Sequence, residues 1–90
     1  MVNKLYSIYD VKTGVFNNPF MCRNVDEAKR IVAATATADV HNMLYNFSED
    51  YKLYYLCEFD DEHGTITADS KFVVCTVSEI VSHIQKRDDD

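Results

Sequence analysis

Hydrophobic and polar positions along this chain change period in the same order twice, which predicts one structural unit written two times. Lys4-Leu5-Tyr6-Ser7-Ile8-Tyr9-Asp10 is rich in β-formers and has the length of one strand. Val15 to Cys22 returns beside it. Pro19 cannot donate to a ladder, so the return is expected to be an edge, or to break near Asn17-Asn18-Pro19. Asn24 and Glu27 then stand at capping-box spacing, and Ala28, Ile31, Val32, Ala36, Val40 and Met43 recur at helical spacing. A helix is expected from about Val25 to Leu44, with small residues at its middle that allow a close approach to a sheet.

The second unit follows the same order. Tyr51 to Phe59 is the most apolar strand, Thr65 to Cys75 returns, and Phe72-Val73-Val74-Cys75 reads as buried. Thr76 and Glu79 repeat the capping signature, and Ile80, Val81 and Ile84 give a shorter helix its apolar stripe. The turns repeat most closely: Tyr9-Asp10 to Gly14 reappears fifty positions later as Phe59-Asp60 to Gly64. The aspartate can start a tight turn through its side chain, and the glycine can take the positive φ that a bulged hairpin loop needs.

The fold expected is α+β: two ββα units forming a four-stranded, mainly antiparallel sheet with two helices on one face. Residues 1–86 make one domain, 1–45 and 46–86 being its units, and 87–90 form an acidic tail. Superposing the units at an offset of fifty puts Leu5, Ser7 and Tyr9 with Tyr55, Cys57 and Phe59 on the face assigned to the helices. Tyr6, Ile8, Tyr54 and Leu56 then form an open face, ringed by Lys4, Lys52, Asp10 and Glu58, as a partner or dimer surface.

Composition narrows the chemistry. Ninety residues give a modest core, which favours a dimer or a partner. Nine basic against fifteen acidic residues leave a net charge of −6, which opposes phosphate-driven nucleic-acid binding. Arg23, Lys29, Arg30 and the Lys86-Arg87 pair are the candidates for a local basic patch. No apolar run approaches the length of a membrane span and no signal-peptide pattern precedes the first strand, so a cytoplasmic protein without membrane contact is expected. Cys22, Cys57 and Cys75 are odd in number and are expected as reduced thiols.

With His41, His63 and His83 the cysteines lack the paired spacings of a structural zinc site, so neither metal nor cofactor is expected. Glu58, Asp60, Asp61 and Glu62 cluster, but at a hairpin tip they read as solvated turn residues. No nucleophile stands in a base pattern and two glycines make no phosphate loop; the chain is expected not to be an enzyme. Tyrosines on an open sheet could stack bases, yet the ββαββα order differs from that of the sheet-based RNA-binding modules, and core or interface roles are preferred.

Lys4-Leu5-Tyr6-Ser7-Ile8-Tyr9-Asp10, Lys12-Thr13-Gly14, Pro19-Phe20, Glu27-Ala28-x-Arg30 and Glu49-Asp50-Tyr51-x-Leu53-Tyr54-x-Leu56-x-Glu58-Phe59-Asp60 with Gly64 together resemble the small non-structural protein of gokushovirus-type microviruses, phages with single-stranded DNA genomes. The resemblance covers about residues 4 to 64. Cys57 stands where that family usually has glycine, and Ser48 where proline commonly precedes Glu-Asp. The resemblance implies a viral early protein of the host cytoplasm, absent from the virion, acting when replication shifts to packaged single strands. It carries over no catalytic residue. The function expected is that of a homodimeric adaptor in genome synthesis or its coupling to packaging, contacting the replication initiator, a host replication protein or the procapsid. The alternative is direct single-stranded DNA binding through Tyr6 and Tyr54.

Overall fold

The computed structural model describes residues 1–39, 41–68 and 71–88, with backbone alone over 84–88. Its elements run β1 (Val2–Asp10), β2 (Val15–Phe16), β3 (Phe20–Cys22), α1 (Val25–Thr37), α2 (Met43–Asn46), a 3-10 turn (Ser48–Asp50), β4 (Tyr51–Asp60), β5 (Thr65–Thr67), β6 (Phe72–Thr76) and α3 (Val77–Asp88). All strand pairs are antiparallel and belong to one mixed α/β arrangement. The two units meet at the centre of the sheet, where β1 and β4 pair from Val2 opposite Asp60 to Asp10 opposite Tyr51. β2 and β3 flank β1, while β5 and β6 flank β4.

The sheet has six strands, not the expected four, because each return arm breaks in two. In the first arm Tyr9 pairs with Phe16 but Tyr6 with Phe20, so the return carries one extra residue. The Asn17 amide donates to the Ile8 carbonyl at 2.8 Å, and the Ser7 hydroxyl donates to the Asn17 carbonyl at 2.6 Å. These bonds turn the chain aside before Pro19, which has no amide proton to offer. The second arm pairs β5 with Glu58 to Asp60 and β6 with Lys52 to Tyr55.

Both hairpin turns close alike. Gly14 and Gly64 have φ of 71° and 65°, and each donates its amide to the aspartate carbonyl four residues earlier at 2.8 Å. The Asp10 carboxylate accepts from the Lys12 amide, and that of Asp60 from the Glu62 amide, each at 2.9 Å. Such turns nucleate locally, because the aspartate supplies the hydrogen bonds that the ladder no longer does.

The helix starts are also as the spacing predicts. Asn24 accepts from the Glu27 amide at 2.9 Å, and Thr76 from the Glu79 amide at 3.1 Å. The first helix, however, stops at Thr37 rather than Leu44. Thr35 and Thr37 bond back to the carbonyls of Ile31 and Ala33, weakening the last turns. Asn42 then donates to the Thr35 carbonyl and accepts from the Leu44 amide, ending one helix and starting the next. Val40 lies outside the described residues, as do Asp89 and Asp90 and the side chains of Ile84, Lys86 and Arg87. The backbone of α3 continues to Asp88, into the stretch expected as tail.

Ala28, Val32 and Ala36 of α1 and Val77, Ile80 and Val81 of α3 bury against Tyr6, Ile8, Tyr51 and Leu53. Ile31 and Met43, expected in the apolar stripe, are exposed. The alanines let α1 lie close to the sheet, so the large side chains must come from the strands beneath. At 44 × 31 × 19 Å the molecule accommodates one sheet and one helical layer, and among the described residues the helical side chains of the core pack with Tyr6 and Ile8, on one side of the sheet.

Candidate functional site

The uncovered face is not the one that the strand parity predicted. Tyr6 and Ile8, expected there, are 3% and 6% exposed in the core between sheet and helices. Tyr54 and Leu56 are half-buried. Two causes combine. Both parities of β1 are apolar, so alternation alone did not say which set meets the helices. In addition, Leu5 pairs with Cys57 but Tyr6 with Tyr55, so Leu56 is an unpaired bulge residue. A bulge of one residue exchanges the two faces beyond it. Tyr55 therefore joins Tyr6 on the core side, while Tyr9 and Phe59 do share a face, the open one.

From the register, the open face carries Asn3, Leu5, Ser7 and Tyr9 of β1, Lys52, Tyr54, Cys57 and Phe59 of β4, and from the flanks Phe16, Met21, Ile66, Val73 and Thr76. Met21, Ile66 and Val73 are 55%, 66% and 49% exposed. Single exposed hydrophobes are ordinary on a protein surface; a contiguous set across a whole sheet is not. The signal that could have marked this face is Met21 and Ile66, one on each return arm at positions where a solvated edge would carry polar residues.

One end of the face is aromatic. Tyr9 and Phe16 stack at 4.6 Å between centroids and 17° between planes, and Tyr54 stands edge-on to both at 5.6 and 5.2 Å. The Lys71 ammonium lies 5.0 Å from the centre of the Phe16 ring. These rings pack on one another, and Phe16 also on a cation. On the opposite side of the sheet, Phe20, Tyr6, Tyr55 and Phe72 form a second aromatic row. Ser7, between Leu5 and Tyr9 on the open side, is nonetheless fully buried and donates to the Asn17 carbonyl.

The candidate chemistry elsewhere is structural. Asp60, Glu62 and His63 bring ligand atoms within 4.8 Å of one another at the second turn, but Glu62 and His63 are exposed, and the carboxylate of Asp60 serves the turn itself. The His63 ring nitrogen lies 2.8 Å from that carboxylate, and this bond, followed by the Glu62 amide, holds Asp60 below its ordinary value of 3.8. Asp61 takes the Met1 amine at 2.6 Å instead. Cys22 and Cys75 are buried, and burial pushes both thiols up, away from a reactive thiolate. Cys57 is half-buried, on the open face.

Among the described residues the basic side chains do not gather into a patch. Arg23 pairs with Glu27 at 3.8 Å. Lys29 and Arg30 line a cleft of about 440 Å³ between α1 and α3, with Asp26 and Glu79 also in its walls. That cleft mixes both signs, so it offers no net field for an anion. Among the described residues, every buried side-chain nitrogen and oxygen has a hydrogen-bond partner. No helix among them is long and apolar enough to cross a membrane.

No curated protein and no solved structure matches the chain. Residues 3–80 match the family described as Phage ORF5 protein, a span that takes in both units, the bulged central strand and the start of the last helix. The chain belongs to that phage protein family.

Proposed function

We propose that this protein is a non-enzymatic regulatory adaptor of a gokushovirus-type microvirus. It acts in the host cytoplasm on single-stranded DNA genome synthesis or the coupling of synthesis to packaging, by protein contact through the open sheet face. The observation that carries the reading is the contiguous apolar surface from Met21 to Ile66 on a family member from phage. Its partners are the viral replication initiator, a host replication protein or the procapsid. Direct single-strand binding fits less well, since the Tyr9, Phe16 and Tyr54 rings are packed on one another and the chain carries a charge of −6.

The test is complementation of a phage lacking this gene. Ile66→Asp and Met21→Asp change exposed positions, so the fold is retained, and each is expected to lower the yield of single-stranded genomes in infected cells. An unchanged yield from both overturns the adaptor reading. Titration of fluorescent single-stranded DNA separates the other hypothesis: tight binding that weakens steeply with salt and is lost in Tyr54→Ala would replace protein contact with DNA contact.

A further inference from the structure

We infer that the open sheet face closes on a second copy of this chain, giving a face-to-face homodimer. The inference rests on the reading of that face as a protein-contact surface, and names its occupant.

Three observations select a second copy. The first is charge. At −6, two copies repel, so they can meet only where neither presents its acids. The register places Leu5, Tyr9, Met21, Cys57, Phe59 and Ile66 on the open face, and Lys52 is the one charged residue that the pairing puts among them, with Lys71 beside Phe16. A nucleic acid would need a run of cations and an acidic or basic partner a complementary field; this surface offers neither.

The second is size. Strands about 4.8 Å apart and rising about 3.3 Å per residue make a face four strand positions wide and nine residues long about 19 Å by 30 Å, or about 570 Å². Two such faces bury about 1,100 Å², just above the roughly 1,000 Å² expected of a specific interface. Half the face would not suffice, so the contact uses all of it. The surface is the face of a sheet rather than a groove, and sheets pack face to face about 10 Å apart.

The third is the way the face fits itself. Leu5 is level with Cys57, Tyr9 with Lys52, and Asn3 with Phe59, along β1 and β4 at the centre. A two-fold axis along the strands between β1 and β4 lays β4 of one protomer over β1 of its partner. Cys57 of each then covers Leu5 of the other, the Lys52 ammonium reaches the Tyr9 ring, and Met21 on one edge lies two residues along the strands from Ile66 on the opposite edge. The central apolar side chains are covered in pairs without burying an acid.

Sedimentation of the whole chain, with alkylation of Cys57 as an independent reporter, tests the inference. A dimer is expected whose affinity rises with salt, because screening over about 8 Å relieves the repulsion between two acidic chains. Nucleic-acid binding has the opposite sign. Cys57 alkylation is expected to slow as protein concentration rises, and Ile66→Asp to weaken the dimer by at least about tenfold. A monomer at concentrations up to about 1 mM with Cys57 reactivity independent of concentration overturns the inference. So does a dimer that neither Ile66→Asp nor Met21→Asp weakens. If the chain is monomeric while Ile66→Asp still lowers the phage single-strand yield, the dimer falls and the adaptor reading stands; if the dimer forms and its loss leaves that yield unchanged, the reverse holds.

Discussion

Tyr6 and Tyr55 face each other across the two central strands, with rings 5.6 Å apart and inclined at 75°, although a repeat of fifty residues would place them on opposite faces. The bulge at Leu56 makes the meeting possible. Tyr6 is 3% exposed, so Tyr6→Ala is expected to cost about 3 to 5 kcal/mol in urea unfolding. A double-mutant cycle with Tyr55→Ala should show coupling of about 0.5 to 1.5 kcal/mol. Coupling near zero would place the two rings apart.

Gly14 and Gly64 give a matched pair of backbone tests. A Cβ on Gly64 would meet nothing within 4 Å, and one on Gly14 only the Tyr9 hydroxyl at 3.8 Å. Crowding is therefore absent in both, and Ala at either position pays for positive φ alone, about 1 to 2 kcal/mol. Asn, which tolerates that region better, should recover part of the loss. Equal stability of Gly64→Ala and the parent, by thermal or denaturant unfolding, would contradict the turn geometry.

The three thiols should separate by burial. In dilute native protein Cys57 is expected to react with a thiol reagent while Cys22 and Cys75 stay protected until the chain unfolds, since both are buried with their thiols pushed up by desolvation. Peptide mapping after brief labelling reads this directly. Early modification of Cys75, which lines the α1/α3 cleft, would show that reagent enters that cleft.

The Asp60 carboxyl titrates below its ordinary 3.8, first because His63 bonds to it and then through the Glu62 amide. A carboxyl depressed by folding adds stability above its unfolded value, and that contribution disappears as pH falls through the lower folded value. His63→Ala removes the leading cause, so the Asp60 midpoint, followed by NMR, should rise toward 3.8. An unmoved midpoint would assign the depression to the turn amides.

What the chain's sequence made legible was whatever is determined within a few residues. The Asp-to-Gly turns and the Asn24 and Thr76 caps rest on contacts three or four residues apart, and each appears where its spacing places it. The open face depended on longer-range facts. Leu5 and Tyr9 are as apolar as Tyr6 and Ile8, so only the docking of Ala28 and Ala36 decides which pair is covered. Leu56 carries no mark of a bulge, being a hydrophobe in a run of hydrophobes. The break at Pro19 could be anticipated; the helix end at Thr37 was hidden because Thr35, Thr37 and Asn42 act together across seven residues.

The interrupted return arms have a consequence for how copies of this chain can misassemble. Sheet proteins aggregate when a long, straight edge strand accepts a strand from a neighbour. Here the outer strands span two, three, three and five residues, and the Ser7 to Asn17 bond turns one arm aside at its middle. A neighbour seeking to prolong the ladder finds only a few consecutive backbone groups before the line is broken. Growth of this tyrosine-rich sheet into fibres is therefore obstructed at both margins.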